Sequence, residues 1–170
     1  QSIITLQMEG RVQEAHDAYV NYFEQNEIDY PALNMFGICC MALGRYDKAR
    51  GLFQHIVENA PIIEEASLYL AECCIELADY DDALLILQAF SEANNNDYRP
   101  HLLVARACIS KNQQATALEC LHKAYGLGLD SNDILLLVAP LYLACQDAKA
   151  ALKAYNRVLF NDPQNVEALL

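Results

Sequence analysis

Four histidines and seven cysteines are the side chains best equipped for metal binding or nucleophilic chemistry, and their spacing offers neither. His16, His55, His101 and His122 are scattered, and each alone reads as a surface or half-buried residue. Cys39-Cys40 and Cys73-Cys74 are adjacent in sequence, and neighbours on one helix point in different directions. A metal site built from those four has neither tetrahedral-site spacing nor histidine support. An odd cysteine count with adjacent pairs is no disulfide framework; it points to a reducing compartment, the cytoplasm. There is no Gly-rich phosphate loop, no nucleophile elbow and no His-Glu-x-x-His. Glu64-Glu65 and Asp79, Asp81 and Asp82 fit solvated helix starts. The expectation is a chain that is not an enzyme and uses no cofactor and no metal.

The elements behind these residues are helices. Apolar residues make up 54% of the chain, with only 6 Gly and 5 Pro for turns. The formal net charge is −12 and the 11 Lys and Arg form no run, which disfavours nucleic acid and anionic membrane. No apolar stretch approaches the roughly 20 residues that span a bilayer, so direct membrane insertion is not expected.

The order along the chain is a fixed period of 34 residues. Ala15, Ala49, Ala83, Ala117 and Ala151 form one column. Four residues beyond each stands Tyr19, Phe53, Leu87, Leu121 or Tyr155, and three further Tyr22, Ile56, Phe90, Ala124 or Val158. Twelve before each alanine come Ile3, Gly37, Ala71, Ala105 and Ala139; nine before, Leu6, Cys40, Cys74, Cys108 and Tyr142. Spacings of three, four and seven place these residues on helix faces. A polar break divides each unit: Gly10-Arg11, Gly44-Arg45, Ala78-Asp79, Asn112-Gln113 and Gln146-Asp147. Each unit is therefore two helices joined by a tight turn. The small columns allow close approach and the large one fills the space beside them. The cysteines read as small core residues.

These columns resemble the tetratricopeptide repeat family. The clearest unit runs from Tyr30 to Pro61, with Phe36-Gly37, Gly44-Arg45-Tyr46, Ala49, Phe53, Ile56 and the closing Pro61. The third keeps Leu70-Ala71, Asp79-Tyr80, Ala83 and Leu87; the fifth keeps Ala151, Tyr155, Val158 and Asp162-Pro163. The resemblance implies an all-α, right-handed α-solenoid of about five helical hairpins, the first and last repeats truncated. It would be a single domain over 1–170, with repeats at about 1–29, 30–63, 64–97, 98–131 and 132–165 and the start of a further helix at 166–170. Cut at both ends, it is expected to be part of a longer protein. Three departures carry expectations. Leu33, Ser67, His101 and Leu135 replace the aromatic near the start of the family's first helix. Gly126-Leu127-Gly128 should end the fourth unit's second helix early. Pro140 should kink the fifth unit's first helix.

The resemblance implies a concave groove lined by the first helices, and hence a protein or peptide partner. The groove-facing residues are then Asn34, Ile38 and Met41; Leu68, Glu72 and Ile75; Leu102, Arg106 and Ile109; and Leu136, with Leu143, Ile4 and Met8 extending the row. This mostly apolar row suits a segment with apolar anchors. Glu72 and Arg106 would pair or orient it. Of the positions matching the family's carboxylate clamp, Asn34, Ile38, Tyr69, Arg99 and Leu103, only Asn34 and Arg99 fit, and a register one unit later offers no cation. Chaperone-tail binding is disfavoured. The same side chains could instead be packed by neighbouring repeats. The leading reading is a scaffold or adaptor. Its alternatives are a substrate-recognition arm of a larger enzyme such as a glycosyltransferase, or a secretion chaperone. The last rests on Phe36-Gly37-Ile38-Cys39-Cys40 and Tyr69-Leu70-Ala71-Glu72-Cys73, similar to class II type III secretion chaperones. Exposed repeat ends would permit a homodimer.

Overall fold

A computed structural model describes residues 2–127 and 131–169. Among them the chain forms eleven helices and no strand: α1 (Ile3–Met8), α2 (Val12–Gln25), α3 (Tyr30–Ala42), α4 (Tyr46–Asn59), α5 (Glu65–Glu76), α6 (Tyr80–Ala93), α7 (Arg99–Ser110), α8 (Gln114–Leu127), α9 (Asn132–Ala144), α10 (Ala148–Asn161) and α11 (Val166–Leu169). The helices pair into hairpins of the predicted type.

The turn inside each hairpin repeats at atomic detail. Gly10, Gly44, Ala78, Asn112 and Gln146 all adopt left-handed backbone, with φ of 74°, 70°, 64°, 57° and 62°. Each follows a first helix and closes it with a pair of backbone hydrogen bonds. In the second hairpin Gly44 N–H donates to the Met41 carbonyl (2.8 Å) and Arg45 N–H to the Cys40 carbonyl (2.9 Å). In the third, Ala78 N–H reaches the Ile75 carbonyl (3.0 Å) and Asp79 N–H the Cys74 carbonyl (2.8 Å). This satisfies carbonyls that a helix end leaves free. The outer acceptors fall in one column, Leu6, Cys40, Cys74, Cys108 and Tyr142, each buried.

The chain divides into two compact units, Gln1–Asp82 and Ala83–Leu170. In the first, α3 packs on α4 and α4 on α5. Ala49, Phe53, Ile56 and Ala71 are fully buried. A Cβ on Gly37 would lie 2.5 Å from Phe53 Cζ, so the ring sits directly on that glycine. Phe53 also stacks on Tyr69 with ring centres 5.2 Å apart. In the second unit Leu102, Ala105, Cys108, Ala117, Leu121, Ala124, Val138, Tyr142, Cys145 and Ala151 form one buried cluster. The same columns build both cores.

The expected early end of α8 is overturned. α8 does not end early: it spans fourteen residues, as α2, α4 and α10 do, and includes Gly126. One glycine in the last turn costs less than the packing of Leu121 and Ala124 supplies; Gly128 lies outside the described residues. α9 runs without interruption from Asn132 to Ala144 through Pro140, which stands on the exposed face. There solvent can satisfy the carbonyl that proline leaves without a donor.

Candidate functional site

The predicted row divides by burial. On α3, Asn34, Ile38 and Met41 are half-buried, placed by the same helix that buries Leu33, Phe36 and Cys40 on its other face. On α5, Glu72 is half-buried, while Leu68 and Ile75 retain only 5% and 6% of their surface. On α7, Arg106 and Ile109 are half-buried and Leu102 is core; on α9, Leu136 is half-buried. Leu143, Ile4 and Met8 are exposed. The helix period does not say which residues of the row a neighbouring helix covers, and burial divides them. Asn34 is distinctive in that its side-chain oxygen is buried and accepts no hydrogen bond from the chain. An amide oxygen so placed costs roughly 1–3 kcal/mol unless a donor reaches it.

A polar cluster that sequence reasoning missed joins the first hairpins. His16, expected at or near the surface, is 5% exposed. Its Nε2 accepts from Arg45 Nη1 (2.7 Å) and Lys48 Nζ (3.3 Å), which leaves Nδ1 to donate to Asp17 Oδ1 (3.0 Å). That hydrogen bond holds the Asp17 carboxyl below its ordinary range. Lys48 also lies over the Phe36 ring at 4.6 Å, and His16 packs against the same ring. One hairpin later the same columns reappear with charge reversed. Arg50, 34 residues after His16, donates to Asp79 (2.5 Å) and Asp82 (3.3 Å), which are 34 residues after Arg45 and Lys48. Spacings of 29 and 32 are the signal that could have found both clusters.

The nucleophile candidates sit in apolar surroundings. Burial raises every cysteine thiol, and Cys73 reaches about 12, which suppresses the thiolate that nucleophilic or metal chemistry needs. Among the described residues no group of three His, Cys, Asp or Glu is arranged to hold a metal ion. No helix among them is long and apolar enough to cross a membrane.

Two depressions are formed by described residues. A polar one of about 600 Å³ is lined by Ala93 to Arg99 in the α6–α7 connection, where Arg99 clasps the Asp97 carboxylate (2.7–3.1 Å). A mainly apolar one of about 330 Å³ lies in the first unit among Ile3, Ile4, Tyr19, Tyr22, Pro31, Ala32 and Met35, with Asp29 at its edge.

Hairpins copied at a constant period, each offering part of one helix face to solvent, define the class of helical-repeat scaffolds. The tetratricopeptide repeat family model matches residues 6–61 and 41–98, together more than half of the sequence. The chain belongs to the tetratricopeptide repeat family. The fold is shared along nearly the whole length by solved structures. The thermophilic tetratricopeptide protein TTC0263 of Thermus thermophilus matches with a TM-score of 0.80 at 21% identity, covering 98% of this chain and 91% of that one. MamA from Desulfovibrio magneticus RS-1, residues 41 to the end, matches at 0.74 and 21%, covering 96% and 93%. YrrB, a tetratricopeptide protein with an unusual peptide-binding site, matches at 0.63 and 17%, covering 98% and 86%. No curated protein sequence matches at a significant level. Tetratricopeptide folds are protein-interaction scaffolds and generally non-enzymatic.

Proposed function

We propose that the chain is a cytoplasmic adaptor that holds a partner segment with apolar anchors along the accessible row of its first helices. The observation that carries this is the combination on α3: half-buried Ile38 and Met41 beside an Asn34 amide oxygen that is buried and lacks a donor. A bound segment would supply apolar side chains to the first two, and the Asn34 amide, by turning outward, would bring its unpaired oxygen to an N–H of the segment. Met41 is an unbranched, polarisable side chain that adapts to differing anchors. Glu72 on α5, in the same unit, adds a charge that would fix the segment's direction; Arg106 on α7 belongs to the second unit's own stretch of the row. YrrB, of like fold, has a peptide-binding site. Leu68, Ile75 and Leu102 hold the helices that bear the row and do not meet the partner directly.

The test is selection of a random twelve-residue phage-displayed peptide library on the 170-residue chain. Enriched sequences should carry apolar residues at fixed spacing, and Ile38→Asp should reduce their capture at least about tenfold while far-UV circular dichroism is unchanged. Ile38 is the right site because it is half-buried; an aspartate at buried Ile75 would unfold the third hairpin instead. Equal capture by the wild-type and Ile38→Asp chains would remove the reading.

A further inference from the structure

The apolar pocket of about 330 Å³ in the first unit includes Ile4, at the end of the predicted row, but not Asn34, Ile38 or Met41. Its floor is held in place. Tyr19, 3% exposed, donates its hydroxyl to Gln7 Oε1 (3.0 Å), and Gln7 Nε2 donates to the Met35 carbonyl (3.2 Å). α1, α2 and α3 are thereby tied around the space. Ile4, 54% exposed, Tyr22 and Pro31 contribute apolar wall, and Met35 contributes a side chain that can move. The volume is at the low end of binding pockets, enough for one large side chain.

Among the described residues that line it, the charge has one sign. Among the described residues Asp29 is the only charged one lining the pocket; it precedes α3, yet its carboxylate makes no capping hydrogen bond. Glu24 and Glu27 lie a few residues before it, beside Ile28, which is 56% exposed. The first unit carries fifteen Asp and Glu against four Lys and Arg, whereas the second carries eight against seven. All four cations of the first unit have other partners. Arg11 pairs with Glu9 and Glu14, Arg50 with Asp79 and Asp82, and Arg45 and Lys48 engage His16. They also lie at the starts of α2 and α4. Arg11 and Tyr22 stand about 16 Å apart along the α2 axis at ~1.5 Å per residue.

We infer that this pocket binds one large apolar side chain of a partner segment that flanks it with lysine or arginine. The side chain enters against Tyr19, Tyr22 and Met35, and a neighbouring cation meets Asp29. The contact draws affinity from burial and its specificity and salt dependence from charge.

The chain contains no tryptophan, so a tryptophan peptide reports its own burial. The probe is acetyl-Lys-Lys-Trp-Lys-Lys-amide, titrated with the 170-residue chain at low and at high salt. Its emission should shift to the blue and saturate, and added salt should weaken binding. Ala32→Leu, which fills the pocket, should raise Kd about tenfold, and Asp29→Asn about threefold. Asp47→Asn, a charge removed from the first turn of α4, should leave Kd unchanged. The glutamate analogue should not bind. The inference is overturned if the emission does not shift or if Ala32→Leu binds like wild type. It is equally overturned if Asp47→Asn weakens binding as much as Asp29→Asn, the mark of diffuse attraction. A chain that sediments as a dimer, and as a monomer only with Ala32→Leu, would also overturn it, because a second copy would then fill the pocket.

Discussion

Three glycines seven residues apart show how differently one residue type is constrained at the scale of a single side chain. Gly37 is required by packing, because a Cβ there would lie 2.5 Å from Phe53 Cζ and 2.7 Å from Cε1. Gly44 is required by backbone: its φ is +70°, and no atom would crowd a Cβ. Gly51 is required by neither, being exposed within α4 with nothing near. Alanine should therefore destabilise at Gly37 by about 1–3 kcal/mol through overpacking. At Gly44 it should cost about 1 kcal/mol through left-handed strain. At Gly51 it should stabilise by about 0.5–1 kcal/mol through helix propensity. Urea denaturation of the three variants checks the signs; Phe53→Leu should relieve the first and leave the second untouched. The smallness of the Gly37 column was legible in sequence. The single ring that demands it was not.

At the scale of elements, the hairpins were readable because each column repeats one chemical character. The joints between hairpins were not, because their polar contacts change sign from one joint to the next. His16 receives Arg45 and Lys48, while Arg50 one period later meets Asp79 and Asp82. A column averaged over such joints has no charge preference to recognise. Burial along the candidate row was not legible for a related reason: periodicity groups Leu68, Ile75 and Leu102 with Ile38 and Met41, yet only the former three are buried. The start of α7 makes a further prediction. Burial pushes the Asp97 carboxyl up, but hydrogen bonds from the Arg99 side chain and backbone outweigh it and set the carboxyl below its ordinary range. Burial, then Lys123, depress His101. Both folded-state groups bind protons less readily than the unfolded chain, so both contribute stability that acid removes. Stability should decline as pH falls below about 6.5, where an unfolded histidine charges, and again below about 4, where an unfolded aspartate protonates. Arg99→Ala should reduce the lower step, leaving the share that Asp17 contributes, and His101→Gln should reduce the upper one. Thermal unfolding across those pH values measures both.

At the scale of the molecule, one hairpin is written repeatedly, and within each unit helices of successive copies pack on one another, α2 on α3 and α4 on α5 in the first and α8 on α9 in the second. That is why small residues recur at Ala49, Ala83 and Ala117 in wholly buried positions. The surface we propose for partners lies on the half-buried positions of the first helices and in the pocket beside Tyr22. Charge does not follow the repeat: nearly all of the net −12 belongs to the first unit. Function can thus differ between copies of one fold. The claim beneath all of this is the period itself, and backbone dihedral measurement by NMR on the isotope-labelled chain tests it most directly. The expected result is positive φ at residues 10, 44, 78, 112 and 146, each flanked by helical shifts on both sides. Negative φ at Ala78 or Gln146, or extended-strand shifts within any of α2 to α10, would contradict it.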